Sequence, residues 1–178
     1  YAERVGKGYA EASIQKDKKH KGQFFTPLAI SAFMGGLATP SGKKDISVLD
    51  PGCGLAILSC ALIEHLVKTG TPEHISLALY ETDKKVVPLT ERVLSYLKSW
   101  CGERKVKLDY QLNESDFVQE KCGCLDGADT IFGDLSGSER FDYIISNPPY
   151  FKLSKDDIHT RSCASIVDGQ TNIYALFM

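Results

Sequence analysis

A doubly wound α/β sheet is the fold this chain predicts, and three observations carry that reading. Short apolar runs of strand type alternate with amphipathic runs of helix type along most of the sequence. The runs Ile46–Leu49, Ile75–Tyr80 and Phe141–Ser146 are apolar enough to be covered on both faces, as strands of a parallel sheet are. Each run then ends in polar, Gly-rich or Pro-rich residues: Asp50 to Gly54, Glu81 with Asp83, and Asn147 to Tyr150. Ligands of open α/β sheets bind at the carboxyl ends of the strands, so the pattern predicts a site together with a fold.

The elements follow in order. Thr26-Pro27 opens the first helix, with the Thr26 hydroxyl suited to cap it and Pro27 suited to its first position. Ile30, Phe33, Met34 and Leu37 recur at i, i+3, i+4 and i+7, a stripe expected to face the core. Thr39-Pro40-Ser41-Gly42 breaks the chain before the first strand. Leu55 to Lys68 reads as a helix closed at Gly70. After the second strand, Val86, Leu89, Val93, Leu97 and Trp100 mark an amphipathic helix, and Val106, Leu108, Tyr110 and Leu112 alternate as a third strand. Residues 118 to 140 read as irregular. The fourth strand stops at Pro148-Pro149, which together remove two backbone donors and fix two φ angles. Asn172 to Met178 begins another helix that has no cap, so the sheet is expected to be incomplete at its C-terminus and the chain to be a fragment.

The 178 residues, 43% hydrophobic and 25% charged, suit one domain with its own core. A net charge of −2 gives no global pull on nucleic acid, so phosphate contacts would have to be local. Lys16 to Lys21, inside an N-terminal basic segment 1–21, is the dense basic run. Cysteines 53, 60, 101, 122, 124 and 163 lack metal-ligand spacing, so no metal is expected. They read as free thiols of a reducing cytoplasm, with Cys60 buried on a helix, and no membrane-spanning run appears.

The strand ends carry the chemistry. In Asp50-Pro51-Gly52-Cys53-Gly54, two glycines allow a ligand to approach the backbone at a helix N-terminus. Ile57 stands where a dinucleotide loop needs its third glycine, and no phosphate-binding G-x-x-x-x-G-K-[ST] run exists. A nucleoside bearing a charged amino acid suits the loop better. Glu81 is placed to accept from both ribose hydroxyls, with Asp83 as competitor or as a helix cap. Asp116 falls where an adenine amine would lie, and Asp134 is its rival. The Thr26 hydroxyl is either a cap or a carboxylate contact. Asn147-Pro148-Pro149-Tyr150 offers carbonyl acceptors, an amide and a ring, suited to gripping the exocyclic amine of a planar base and stacking on its face.

Taken together, Gly22-Gln23-Phe24-Phe25-Thr26-Pro27, Asp50 to Gly54, Tyr80-Glu81, Asp116-Phe117, Asn147 to Tyr150 and Asn172 to Phe177 resemble the N6-adenine-specific DNA methyltransferases, in the order of that family. The exit Tyr150-Phe151-Lys152-Leu153 and the final Asn172 to Phe177 segment are most similar to methylases of restriction–modification systems. The resemblance implies a Rossmann-like AdoMet-dependent methyltransferase fold over 22–178, a partial catalytic domain without its target-recognition domain. It also implies a bacterial cytoplasmic enzyme using S-adenosyl-L-methionine and double-stranded DNA, partnered by a restriction or specificity subunit or domain. Phe24, Phe25, Thr26 and Pro27 would then meet the methionine portion. Asp50, Pro51, Gly52, Cys53 and Gly54 would surround the methionine and sugar, Glu81 the ribose, and Asp116 with Phe117 the adenine. Asn147, Pro148, Pro149 and Tyr150 would hold the target base.

One departure stands out. The family reads D-P-x-C-G-[ST]-G, whereas Leu55 and Ala56 occupy its last two positions here, and Ala56 is costly if its φ is positive. No Pro-Cys pair is present, which argues against C5-cytosine chemistry. Two alternatives share parts of this pattern: methylation of protein glutamine or ribosomal RNA base amines, and a non-catalytic AdoMet-binding or DNA-scaffolding module.

Overall fold

The computed structural model describes residues 26–122, 140–163 and 172–177. Phe24, Phe25, Asp134 and the basic run 16–21 lie outside them.

Four strands, β1 (Asp45–Asp50), β2 (His74–Tyr80), β3 (Lys107–Asn113) and β4 (Tyr143–Ile144), form one sheet in the order β3-β2-β1-β4. Every pairing is parallel, so the carboxyl ends of all four strands lie along one edge. The order runs outward from β1 in both directions, and the switch point between β1 and β4 is where such sheets open a crevice. The connecting helices are α1 (Leu28–Gly36), α2 (Ile57–Thr69), α3 (Val87–Gly102), α4 (Phe117–Cys122) and α5 (Ile158–Ser162), followed by a 3₁₀ turn Ile173–Phe177.

The main core lies between the sheet and these helices. Val48, Leu77 and Leu79 of the strands meet Leu62, Ile63 and Leu66 of α2 and Leu94 and Leu97 of α3, all buried. The α3 stripe is seated as expected, with Val86 and Val93 buried and Leu89 and Trp100 packed at the margins. Gly70 does end α2, but in extended rather than left-handed backbone (φ −106°). Glycine fits there for another reason, because a Cβ would lie 2.8 Å from the Leu66 carbonyl oxygen.

The first helix departs from its periodicity. Ile30, Phe33 and Leu37 face outward, the last two 67% and 68% exposed, while Met34 packs against the core and Ser31 and Gly35 are buried. Gly35 explains this: a Cβ on it would stand 2.8 Å from the backbone of Ala61 and Leu62, so α1 and α2 touch main chain to main chain. Small residues win that face because they permit the closest approach. The expected cap is also different. Pro27 occupies the cap position and accepts from the Ser31 amide (2.9 Å) and hydroxyl (3.2 Å), leaving the Thr26 side chain for other work.

The fourth strand is shorter than the apolar run suggests, and Ile144 is 65% exposed because β4 is an edge among the described residues. Its register is fixed by side chains. Asp142 accepts from the Ser47 amide (2.8 Å) and hydroxyl (3.0 Å) and pairs with Lys43 at 2.5 Å. Residues 118 to 122 are helical rather than irregular, because Asp116 caps that helix. Of the cysteines, Cys53 and Cys101 are buried free thiols and Cys60 is a half-buried one, whereas Cys163 is in a disulfide, which overturns the free-thiol expectation there.

Candidate cofactor and target-base site

The last residue of β1, Asp50, is fully buried. Its Oδ2 accepts from the Ser59 hydroxyl at 2.5 Å, and its Oδ1 has no hydrogen-bond partner. Burial pushes the carboxyl up to about 7, partly offset by Ser59 and the Gly52 amide and reinforced by the charge of Glu81. An open buried acceptor of this kind calls for a donor, and a cationic donor would hold it ionised.

The loop that follows turns sharply. Gly54 (φ 51°) and Ala56 (φ 55°) both adopt left-handed backbone, and the Cys53 amide bonds the Tyr80 carbonyl at 2.9 Å. The turn delivers the N-terminus of α2, which no side chain caps. A small cleft opens there, lined by Gly52, Gly54, Ile57, Leu58, Thr26 and Asn147 among others. Pro51 is buried. The Cys53 thiol is buried and pushed well above its ordinary pKa, chiefly by burial, so it is no thiolate nucleophile.

Glu81 follows β2 at 9% exposure. It accepts from the Asp83 amide at 2.7 Å and also contacts the Gly54 amide. Burial raises its pKa, with these amides opposing. Asp83 has a structural task, accepting from the Lys85 amide at 3.0 Å in the turn before α3. That caps the turn, whereas Val86 occupies the cap position of α3 itself. Glu81 is therefore the acid that borders the glycine loop.

Asp116 follows β3 and splits its oxygens between two elements. Oδ1 accepts from the Gln119 amide at 3.0 Å, and Oδ2 lies 2.9 Å from His159 Nε2. Phe117 sits edge-on to Tyr80 (5.2 Å between centroids) and stacks on Phe177 (5.9 Å). Phe177 also reaches the glycine loop, since a Cβ on Gly52 would meet its ring at 3.5 Å. Sequence reasoning did not single out His159 or Phe177. Phe177 closed a segment read as a helix start and as part of the family resemblance, without a role of its own, and nothing in the sequence around His159 marks it.

At the end of β4, Asn147, Pro148 and Pro149 are half-buried and Tyr150 is 61% exposed. Asn147 Nδ2 donates to Thr26 Oγ1 at 2.9 Å, across 121 residues of sequence, and the Tyr150 hydroxyl donates to Asn147 Oδ1 at 3.1 Å. The Tyr150 ring lies 6.0 Å from that of Tyr174, which an Ile173–Phe151 backbone bond (3.0 Å) brings alongside. The described candidates thus gather along one edge of the sheet. Among the described residues, no group of three or more His, Cys, Asp or Glu side chains is arranged to hold a metal, and no helix is long and apolar enough to cross a membrane.

This arrangement has relatives. The chain is 27% identical over 165 residues to the type II methyltransferase M.BsuBI of Bacillus subtilis, covering 93% of this chain and 31% of that protein. It is 24% identical to the type II methyltransferase M.AccI of Acinetobacter calcoaceticus, covering 98% of this chain and 27% of that one. The chain therefore spans about a third or less of the length of the curated relatives it matches. A crystal structure assigned as a class I S-adenosylmethionine-dependent methyltransferase from Listeria monocytogenes superposes with a TM-score of 0.57 at 22% identity, over 99% of this chain and 48% of that one, and so shares its fold. Residues 9–167 match the model of the N-6 DNA Methylase family, and the chain belongs to that family.

Proposed function

We propose that the protein carrying this chain transfers a methyl group from S-adenosylmethionine to N6 of an adenine turned out of double-stranded DNA, within a restriction–modification system. S-adenosylmethionine is the cofactor of the family, and the residues present fit it. The unpartnered Asp50 oxygen suits the methionine ammonium, the Gly52–Gly54 turn admits backbone approach, and Glu81 and Asp116, which follow β2 and β3, offer acids to ribose and adenine. When bound, it supplies an electrophilic methyl on a sulfonium sulfur.

The observation that carries the reading is the Asn147 amide. Thr26 takes its NH₂ group, so its carbonyl oxygen is the end left to accept, and the Tyr150 hydroxyl already marks that acceptor. The adenine N6 lone pair is delocalised into the ring and is a poor nucleophile. Asn147 Oδ1 and the Pro148 carbonyl each accept one N6 hydrogen, which draws the nitrogen toward tetrahedral geometry and frees its lone pair. Tyr150 gives up its bond to Asn147 as the base arrives and stacks on its face, offsetting part of the cost of unstacking by about 1–3 kcal/mol. A proton leaves the methylated nitrogen for solvent. The work is orientation and fixed dipoles, with no strong base needed.

Family membership favours DNA over protein glutamine or ribosomal RNA. Because the chain spans only 31% and 27% of two relatives, we assign residues 22–178 to catalysis and the choice of DNA sequence to segments beyond them. These 178 residues alone are expected to leave DNA unmethylated.

Asn147→Ala in the full-length protein is expected to keep cofactor affinity within about twofold while N6-methyladenine formation falls about 10²–10³-fold, the loss of one preorganised polar contact. Calorimetry and mass spectrometry of digested DNA read the two quantities. Undiminished methylation by that variant would refute the mechanism.

A further inference from the structure

We propose that His159 is a positioning residue for adenosine recognition: it holds the Asp116 carboxylate in the direction that reads the cofactor's exocyclic amine. This rests on the assignment of Asp116 made above.

The geometry is a two-sided clamp. His159 Nε2 lies 2.9 Å from Asp116 Oδ2, and Nδ1 lies 2.7 Å from Asp157 Oδ1. Asp157 is itself fixed, because it caps α5 and accepts the His159 backbone amide at 2.9 Å. The imidazole, 17% exposed, is therefore pinned at both nitrogens before any ligand arrives. On the other side, the Gln119 amide holds Asp116 Oδ1 at 3.0 Å. Two donors from two helices fix the carboxylate plane, and the second lone pair of each oxygen remains as an aimed acceptor. Without His159, only the cap of a six-residue helix would orient the acid. The α5 helix follows the Asn147–Tyr150 knuckle in the chain, so the clamp also ties the target-base end of the site to its adenosine end.

The surrounding charges support this. Asp116 from the β3–α4 turn and Asp157 from α5 face the ring. On α4, Glu120 is engaged with Tyr80 (2.9 Å) and Ser115 (2.6 Å), and on α5 Arg161 pairs with Asp156 at 3.2 Å. Burial opposes a charge on His159, but hydrogen bonds to the two carboxylates outweigh it and raise its pKa above 6.5. A protonated ring donates to both acids. A neutral ring must turn a lone pair toward one of them, so the clamp loosens as pH rises through the folded-state value.

An adenine offers Asp116 an amine donor, whereas hypoxanthine offers an oxygen that a carboxylate repels. The test is calorimetry of the intact protein with S-adenosylhomocysteine and S-inosylhomocysteine from pH 6 to 9. A charge-assisted bond predicts a wild-type preference for the adenosyl ligand of about 10–100-fold at pH 6, shrinking toward pH 9. His159→Ala should cut that preference at least about fivefold, by weakening the adenosyl ligand. His159→Gln, which keeps a donor toward Asp116, should retain the preference without its pH dependence. If Asp116→Asn removes the preference but His159→Ala matches wild type at every pH, positioning by His159 is wrong and the Asp116 assignment stands. If Asp116→Asn leaves the preference intact, the assignment fails and takes the proposal with it. Should His159→Ala not fold, the glutamine variant decides, and a pH profile identical to wild type overturns the proposal.

Discussion

Ala56 shows how one residue can sit against its own preference. Its φ of 55° is left-handed backbone, where an L residue pays about 1–2 kcal/mol. The related motif places glycine there, and the sequence alone could say only that a positive φ would be costly. The side chain is nevertheless fully buried in the main core, and a buried methyl contributes about 0.8 kcal/mol. Together with the roughly 0.4–1 kcal/mol of unfolded-state entropy that alanine saves over glycine, this brings the two sides close to balance. Ala56→Gly should therefore shift the urea midpoint by no more than the equivalent of about 0.5 kcal/mol, whereas Ala56→Val adds branching and bulk and should cost about 2–3 kcal/mol. A large stabilisation by glycine would mean that the methyl packs for nothing. At this same scale the sequence placed Asp50, Glu81, Asp116 and Asn147 at strand ends, and in the structure Asp50 ends β1 while the other three lie one to three residues past β2, β3 and β4. It could not show what occupies them, because the Thr26–Asn147 and Asp116–His159 bonds join residues 121 and 43 positions apart.

The instructive failure among the elements is α1. Its apolar residues have helical spacing, and periodicity assigns them to the core. Packing against α2 instead selects Ser31 and Gly35, because bringing two main chains into contact outweighs burying Phe33 and Leu37. Gly35→Ala tests this directly. With a Cβ 2.8 Å from the backbone of Ala61 and Leu62, nothing flexible can yield, and a loss of about 2–3 kcal/mol is expected in chemical denaturation. A neutral result would show that α1 shifts freely on α2. The β1, β2 and β3 strands and the α2 and α3 helices were legible, since burial on both faces or on one stripe leaves a plain pattern. The α4 helix was not, because its start depends on a capping acid rather than on apolar spacing.

For the whole molecule, the perturbed acids and His159 give stability a direction with pH. Asp50, pushed up to about 7, holds its proton more tightly folded than unfolded, and so does Glu81. His159 is raised as well. Each contributes stability that is present at mildly acidic pH and lost as pH rises through its folded value. Asp142 and Asp157 have the opposite sign: bonds to Lys43 and to His159 hold them below the usual range, and their contribution disappears as pH falls below about 4. The ligand-free protein should thus be most stable near pH 4–5 and weaken toward pH 8, as read from urea midpoints. A midpoint that climbs steadily from pH 5 to 8 would contradict the burial of Asp50 as an open acceptor. The net charge of −2 said nothing of this, because formal charge counts groups and not their surroundings.

The bond between Thr26 and Asn147 has one more consequence, for synthesis. A nascent polypeptide that has exposed this threonine must wait for 121 further residues before the asparagine leaves the ribosome. Closing so long a loop is slow compared with forming α2 or the β1–β2 pair. The cleft that this bond helps to close is therefore completed only after the β1–β2 scaffold beside it can form.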